Sequence, residues 1–168
     1  MEDERCCGKQ EVVRGPADLE TVRMEKTRNV CPMCEDYARA QASKPVVVMC
    51  CEGACLRGEI ARQAANLLCH KMAPAKTVRL CLGGAFTKDT GQRGLARNGK
   101  RTVALEGCFI ECAASRMMKA VIPELKPEVI IADTLYDFDR SLFGIDEMPE
   151  TQIKVHAAEV AREVLEQL

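Results

Sequence analysis

Cysteine is the residue type best equipped for chemistry in this sequence. Eleven of the 168 residues are cysteine. An odd number cannot pair off completely within one chain, and the fraction falls below the roughly 8–10% of short disulfide scaffolds. Reduced thiols are therefore expected, and clustered thiols in a reducing compartment signal metal or redox chemistry more often than disulfides. Four share a setting. Cys51 closes an apolar run, Cys81 precedes Leu82-Gly83-Gly84, Cys108 follows Glu106-Gly107, and Cys112 comes four residues after Cys108. Around a tetrahedral zinc ion with Zn–S near 2.3 Å, neighbouring sulfurs lie roughly 3.8 Å apart, which adjacent strand ends can supply with little distortion.

A second group stands nearer the start. Cys31-Pro32-Met33-Cys34 has the C-x-x-C spacing that can chelate a metal, form a redox pair or hold half of a zinc knuckle, and Cys6-Cys7 could add two more ligands to such a second site. No strong strand precedes it, as a thioredoxin-like motif would require, and Glu35 in place of histidine excludes c-type haem attachment. Cys50 alternates with Cys51 along its strand and is read as core, as is the helical Cys69. His70 and His156 are placed on the polar sides of helices, and Asp133, Asp137 and Asp139 in a loop that could approach the strand-end site but is read as solvated. Met117-Met118 is read as helix packing. Gly53 and Gly58 have Walker-like separation, but Glu59-Ile60 stands where Lys and Ser or Thr are needed, so no phosphate loop is expected.

The elements that must position these thiols follow from periodicity. Residues 45–51 form a continuous apolar run suited to a strand buried on both faces. A helix is expected over 60–72, a second strand over 77–82, one short helix within the polar stretch 87–100, and a third strand over 102–105. A helix over 110–121, a fourth strand over 128–132 and an amphipathic helix over 152–168 complete the series. This alternation predicts a three-layer α/β sandwich with a mainly parallel sheet of about four strands. Residues 1–44 read as a cysteine-containing helical appendage with helices near 17–27 and from Cys31 to before Pro45, and residues 45–168 as the metal-binding domain. Cys51, Cys81 and Cys108 then lie at the C-terminal ends of parallel strands, where open α/β sheets build their sites. A helix starting near Phe109 would add the partial charge that favours a Cys108 thiolate.

The chain has the length of one ordinary domain, and roughly 70% of its unfolded surface can be buried without covalent staples. A net charge of -1 gives no reason to expect nucleic acid. The first ten residues hold no apolar signal core, and no apolar run approaches the roughly 18 residues of a membrane helix, so a cytoplasmic protein without membrane attachment is expected.

The pattern Cys51-Glu52-Gly53 with Gly58, Cys81-Leu82-Gly83-Gly84, and Ala104-Leu105-Glu106-Gly107-Cys108 with Cys112-Ala113 resembles the DGC-domain family, described as zinc-binding. The resemblance covers about residues 45–135 and includes Ala64-Ala65 and the strand near Val129. It implies that Cys51, Cys81, Cys108 and Cys112 are the candidate zinc ligands. Glu106 stands where the family's name motif has Asp, and Cys55 brings a fifth thiol near the site. Three readings remain: a zinc protein for storage, sensing or handling; a thiol enzyme with Cys108 as nucleophile and Cys55 or Cys112 as resolving thiol; and a protein handling arsenite, mercury or copper(I), which the same thiolates bind at least as readily.

Overall fold

The computed structural model describes residues 22–111 and 114–168. Cys6, Cys7, Cys112 and the first part of the expected 17–27 helix lie outside the described residues, and residues 22–27 form no helix.

The apolar run does make a strand, β1, Val46–Cys50, with all five residues buried. It pairs in parallel with β2, Thr77–Arg79, on one side and β3, Arg101–Glu106, on the other. β4, Glu128–Ile131, pairs in parallel with β3, giving the order β2-β1-β3-β4. Side chains alternate between two cores, as the period of a strand demands. Val46, Val48, Cys50, Val103 and Leu105 pack with Ile60 and Ala64 of α2, Leu56–Leu67, and Ile153 and Val160 of α6, Glu150–Glu166. On the other face Val47, Met49, Leu80 and Ala104 meet Ala38 of α1, Pro32–Gln41, Leu95 of α4, Gly91–Asn98, and Met118 of α5, Ala114–Val121. The fold is the expected three-layer sandwich with an all-parallel sheet. Among the described residues no helix is long and apolar enough to cross a membrane.

Three boundaries differ for identifiable reasons. α2 begins at Leu56, ahead of the expected Ile60, with Gly58 inside its first turn. A Cβ on Gly58 would sit 2.8 Å from the Gly53 carbonyl oxygen, so the glycine that signalled a loop permits a close helix–loop approach. The stretch 87–100 contributes to two helices, α3, Leu82–Thr87, and α4. The polarity of α4 is misleading because Gln92 and Arg93 point inward: the buried Arg93 guanidinium donates to the carbonyls of Ala85 and Phe86, both at 2.8 Å. α5 starts at Ala114, four residues later than expected. Glu111 has φ of 53°, a left-handed conformation that stops a helix from running through it. The charge of a helix N-terminus at Phe109, expected to favour a Cys108 thiolate, is thus absent.

Candidate metal centre and a second thiol group

The order of the sheet sets the site. The chain leaves β1 toward β2 and leaves β3 toward β4, so the ends of these two central strands flank a switch point, where α/β sheets open a crevice. Cys51 follows β1 and donates its backbone N–H to the Leu105 carbonyl at 2.9 Å, which fixes it beside the end of β3. Its Sγ accepts a hydrogen bond from the Gly53 N–H at 3.4 Å. Cys55 is the N-cap of α2, and its backbone is pinned by an antiparallel bridge to Gly144. The next N–H, that of Leu56, donates to the Phe143 carbonyl at 2.8 Å. Cys108 follows β3 through Gly107, where an added Cβ would lie 2.8 Å from the backbone of Arg57 and Gly58. This contact holds the Cys108 loop against the start of α2.

These segments bring Cys51 and Cys55 near enough to Cys108 to act on its charge. Burial pushes the Cys108 thiol up from its ordinary value, and the negative potential of Asp133, Cys55 and Cys51 pushes it further, against a lowering by the Ile110 backbone N–H. Asp133 belongs to the same surroundings, contrary to the solvated loop expected for it: it is buried in the 3-10 turn Ala132–Thr134 that follows β4. The reason is Arg57, only 6% exposed, whose Nε lies 3.4 Å from the Asp133 carboxylate. Arg57 also donates to the carbonyls of Leu142 and Arg140 at 3.4 and 3.1 Å, and Arg140 approaches Asp133 at 3.9 Å. Both guanidiniums lie over the Phe138 ring, tying residues 133–144 across the start of α2. Asp137 and Asp139 are exposed.

Glu106 does something the sequence did not indicate. It is fully buried, and its Oε1 accepts the Ser115 N–H at 2.7 Å, so this carboxylate caps the first turn of α5.

A second thiol group forms on the other face. Cys31 is the N-cap of α1 and Cys34 lies in its first turn. The Cys34 thiol is pushed up to about 11 by its hydrogen bond to Cys31, with burial and the neighbouring Cys81 adding to the shift. Cys31 is exposed and lowered, by the backbone N–H of Cys34 first and the Cys34 thiol next. Gln92 clamps the two segments: its Oε1 accepts from the Cys81 N–H at 3.0 Å while its Nε2 donates to the Cys34 carbonyl at 3.1 Å. From α1, Glu35 caps α4 at the Gly91 N–H with a 2.8 Å hydrogen bond.

The cysteines chosen from the sequence therefore divide. Cys51 and Cys108 share one group with Cys55, and Cys81 joins Cys31 and Cys34. Cys112 lies outside the described residues. Cys50 and Cys69 are buried in the core. Of the histidines, His70 is exposed as expected, whereas His156 is buried against the Tyr136 ring at 4.8 Å, with its Nδ1 3.0 Å from Glu159. Its helix packs deeper than the polar spacing implied. Among the described residues no three His, Cys, Asp or Glu side chains are already gathered as the ligands of one ion.

Arg57 and Gln92 were missed as site residues, and Asp133, weighed as able to approach the strand-end site, was read as solvated. The signal that favours Asp133 over Asp137 and Asp139 is its place directly after a parallel strand, as with Cys51 and Cys108. A family model described as the DGC domain matches residues 47–163, a span that takes in Cys51, Cys55, Cys81, Cys108 and Cys112 and excludes Cys31 and Cys34. Neither the curated proteins nor the solved structures contain a match to the chain.

Proposed function

The chain belongs to the DGC-domain family, and from that premise we propose that it binds a soft metal ion, zinc, through thiolates at the switch point of its sheet. Cys51, Cys55 and Cys108 are the protein ligands within the described residues, and Cys112, four positions after Cys108, supplies the fourth sulfur. The observation that carries this reading is the convergence on Cys108, whose thiol is pushed up first by burial and then by the negative potential of Asp133, Cys55 and Cys51 beside it. A cation opposes that shift, because it favours the deprotonated form of every donor around it. The donor chemistry fits zinc. The sulfurs are not yet gathered, so the ion itself draws them together.

Four sulfurs leave no position for water, so the proposed role is storage, sensing or handling of the ion, with no hydrolytic chemistry. A thiol enzyme acting through Cys108 is supported less well, since a nucleophile needs an exposed, lowered thiol and Cys108 is half-buried and raised. Cobalt(II) titration of the reduced protein tests the proposal. It should give intense sulfur-to-metal charge-transfer bands that vanish on adding zinc and are lost in Cys108→Ser. Octahedral, weakly absorbing cobalt bound only through oxygen would refute it.

A further inference from the structure

The Cys31/Cys34 pair lies outside the matched family span and is not used by the proposed metal centre. It has three features of its own. First, the residues sit three apart at the start of α1, with Pro32 at a first helical position. Neighbours at this spacing have Cβ atoms about 5–6 Å apart, near enough for a disulfide after a modest adjustment. Second, the thiols differ in access: Cys31 is exposed, flanked by the exposed Met33 and Val30, and Cys34 is half-buried behind it. Third, the Gln92 clamp, donating to the Cys34 carbonyl at 3.1 Å and accepting from the Cys81 N–H at 3.0 Å, fixes the Cys34 segment to the body of the protein and leaves Cys31 on its outer side.

We propose that Cys31 and Cys34 form a dithiol that reduces low-molecular-weight disulfides, with Cys31 attacking and Cys34 resolving. The Cys31 thiolate attacks one sulfur of a disulfide RSSR, forming a Cys31–SR mixed disulfide and expelling RS⁻, which takes up the proton Cys31 gave to solvent. Cys34 then loses its proton, attacks the Cys31 sulfur and expels the second RS⁻, which is protonated in turn. The sum is dithiol plus RSSR giving the Cys31–Cys34 disulfide and two RSH, so two electrons pass from the protein to the small disulfide. Cys81, whose backbone N–H is held by Gln92, takes no part in the exchange.

The test is exchange of the reduced full-length protein with bis(2-hydroxyethyl) disulfide, followed by intact-mass and peptide analysis. The wild type and Cys81→Ser should both end as the Cys31–Cys34 disulfide, with two molecules of mercaptoethanol released per chain. Cys34→Ser should stop as a mixed disulfide on Cys31, and Cys31→Ser should react at least about tenfold more slowly. Cys108→Ser should behave as the wild type, which keeps this outcome separate from that of the metal centre. A Cys34–Cys81 disulfide in the wild type would overturn the assignment. So would an unchanged rate in Cys31→Ser, or full protection of Cys31 by one equivalent of zinc.

Discussion

The Cys108 thiol holds its proton more tightly than an exposed thiol because it is half-buried and faces Asp133, Cys55 and Cys51. A metal must displace that proton, and each thiol still protonated costs about tenfold in affinity per pH unit. Lowering the pH from 8 to 6 should therefore weaken zinc binding at least about 100-fold through this one residue, measurable by competition with a chelator of known affinity. Cys50 acts on stability in the alkaline direction. Burial pushes its thiol up from 9.0 to about 12, although Arg79 donates to its Sγ at 2.7 Å and offsets part of the shift. The folded state thus binds this proton more tightly than the unfolded chain does. The stabilisation is present in full below pH 9.0 and is lost as pH rises through about 12. Denaturant unfolding of the metal-free protein should show that decline, and Cys50→Ala should flatten it. A slope unchanged in the variant would assign the decline to another group.

At the scale of elements, the thiols stand where they do because short connections hold strand ends against helix starts. Gly107 is the tightest of these contacts on the β3 side, and Gly107→Ala must move the backbone of Arg57 and Gly58 away from a Cβ placed at 2.8 Å. Overpacking of this kind costs typically about 1–3 kcal/mol, and here it should also weaken metal binding, because Cys108 is the next residue. Gln92→Leu leaves the Cys81 N–H and the Cys34 carbonyl without this partner, for an expected loss of about 1–3 kcal/mol. Thermal unfolding and Cys34 alkylation rates measure the two effects. The four strands were legible because runs such as Val46-Val47-Val48 have one reading when buried on both faces. The short helix expected within 87–100 is α4, but α3 was not legible, because its start at Leu82-Gly83-Gly84 reads as the close of the second strand. The left-handed Glu111 that delays α5 has no sequence signature either, as glutamate usually favours helix.

In the whole molecule the two faces of one sheet carry two groups of thiols, and the connection after β2 decides which group receives Cys81. The strand-end rule placed Cys51, Cys81 and Cys108 on one edge, correctly as regards the backbone. Only the packing of α1 on α4 reveals that Gln92 ties the Cys81 segment to Cys34, a contact that joins residues 58 apart in the chain. The buried Arg57–Asp133 pair binds the loop after β4 to the start of α2, so Arg57→Ala should cost roughly 3–5 kcal/mol and release the loop that pins Cys55. Zinc should stabilise the folded chain by about 2.7 kcal/mol when present at a hundred times its dissociation constant, an increase that Arg57→Ala retains only in part. The most direct measurement of the central proposal is elemental analysis with native mass spectrometry on full-length protein purified without oxygen. One zinc per chain is expected, lost in Cys51→Ser and Cys108→Ser and kept in Cys31→Ser and Cys34→Ser. A chain that carries no metal after zinc loading, or whose zinc survives Cys108→Ser and leaves with Cys34→Ser, would contradict it.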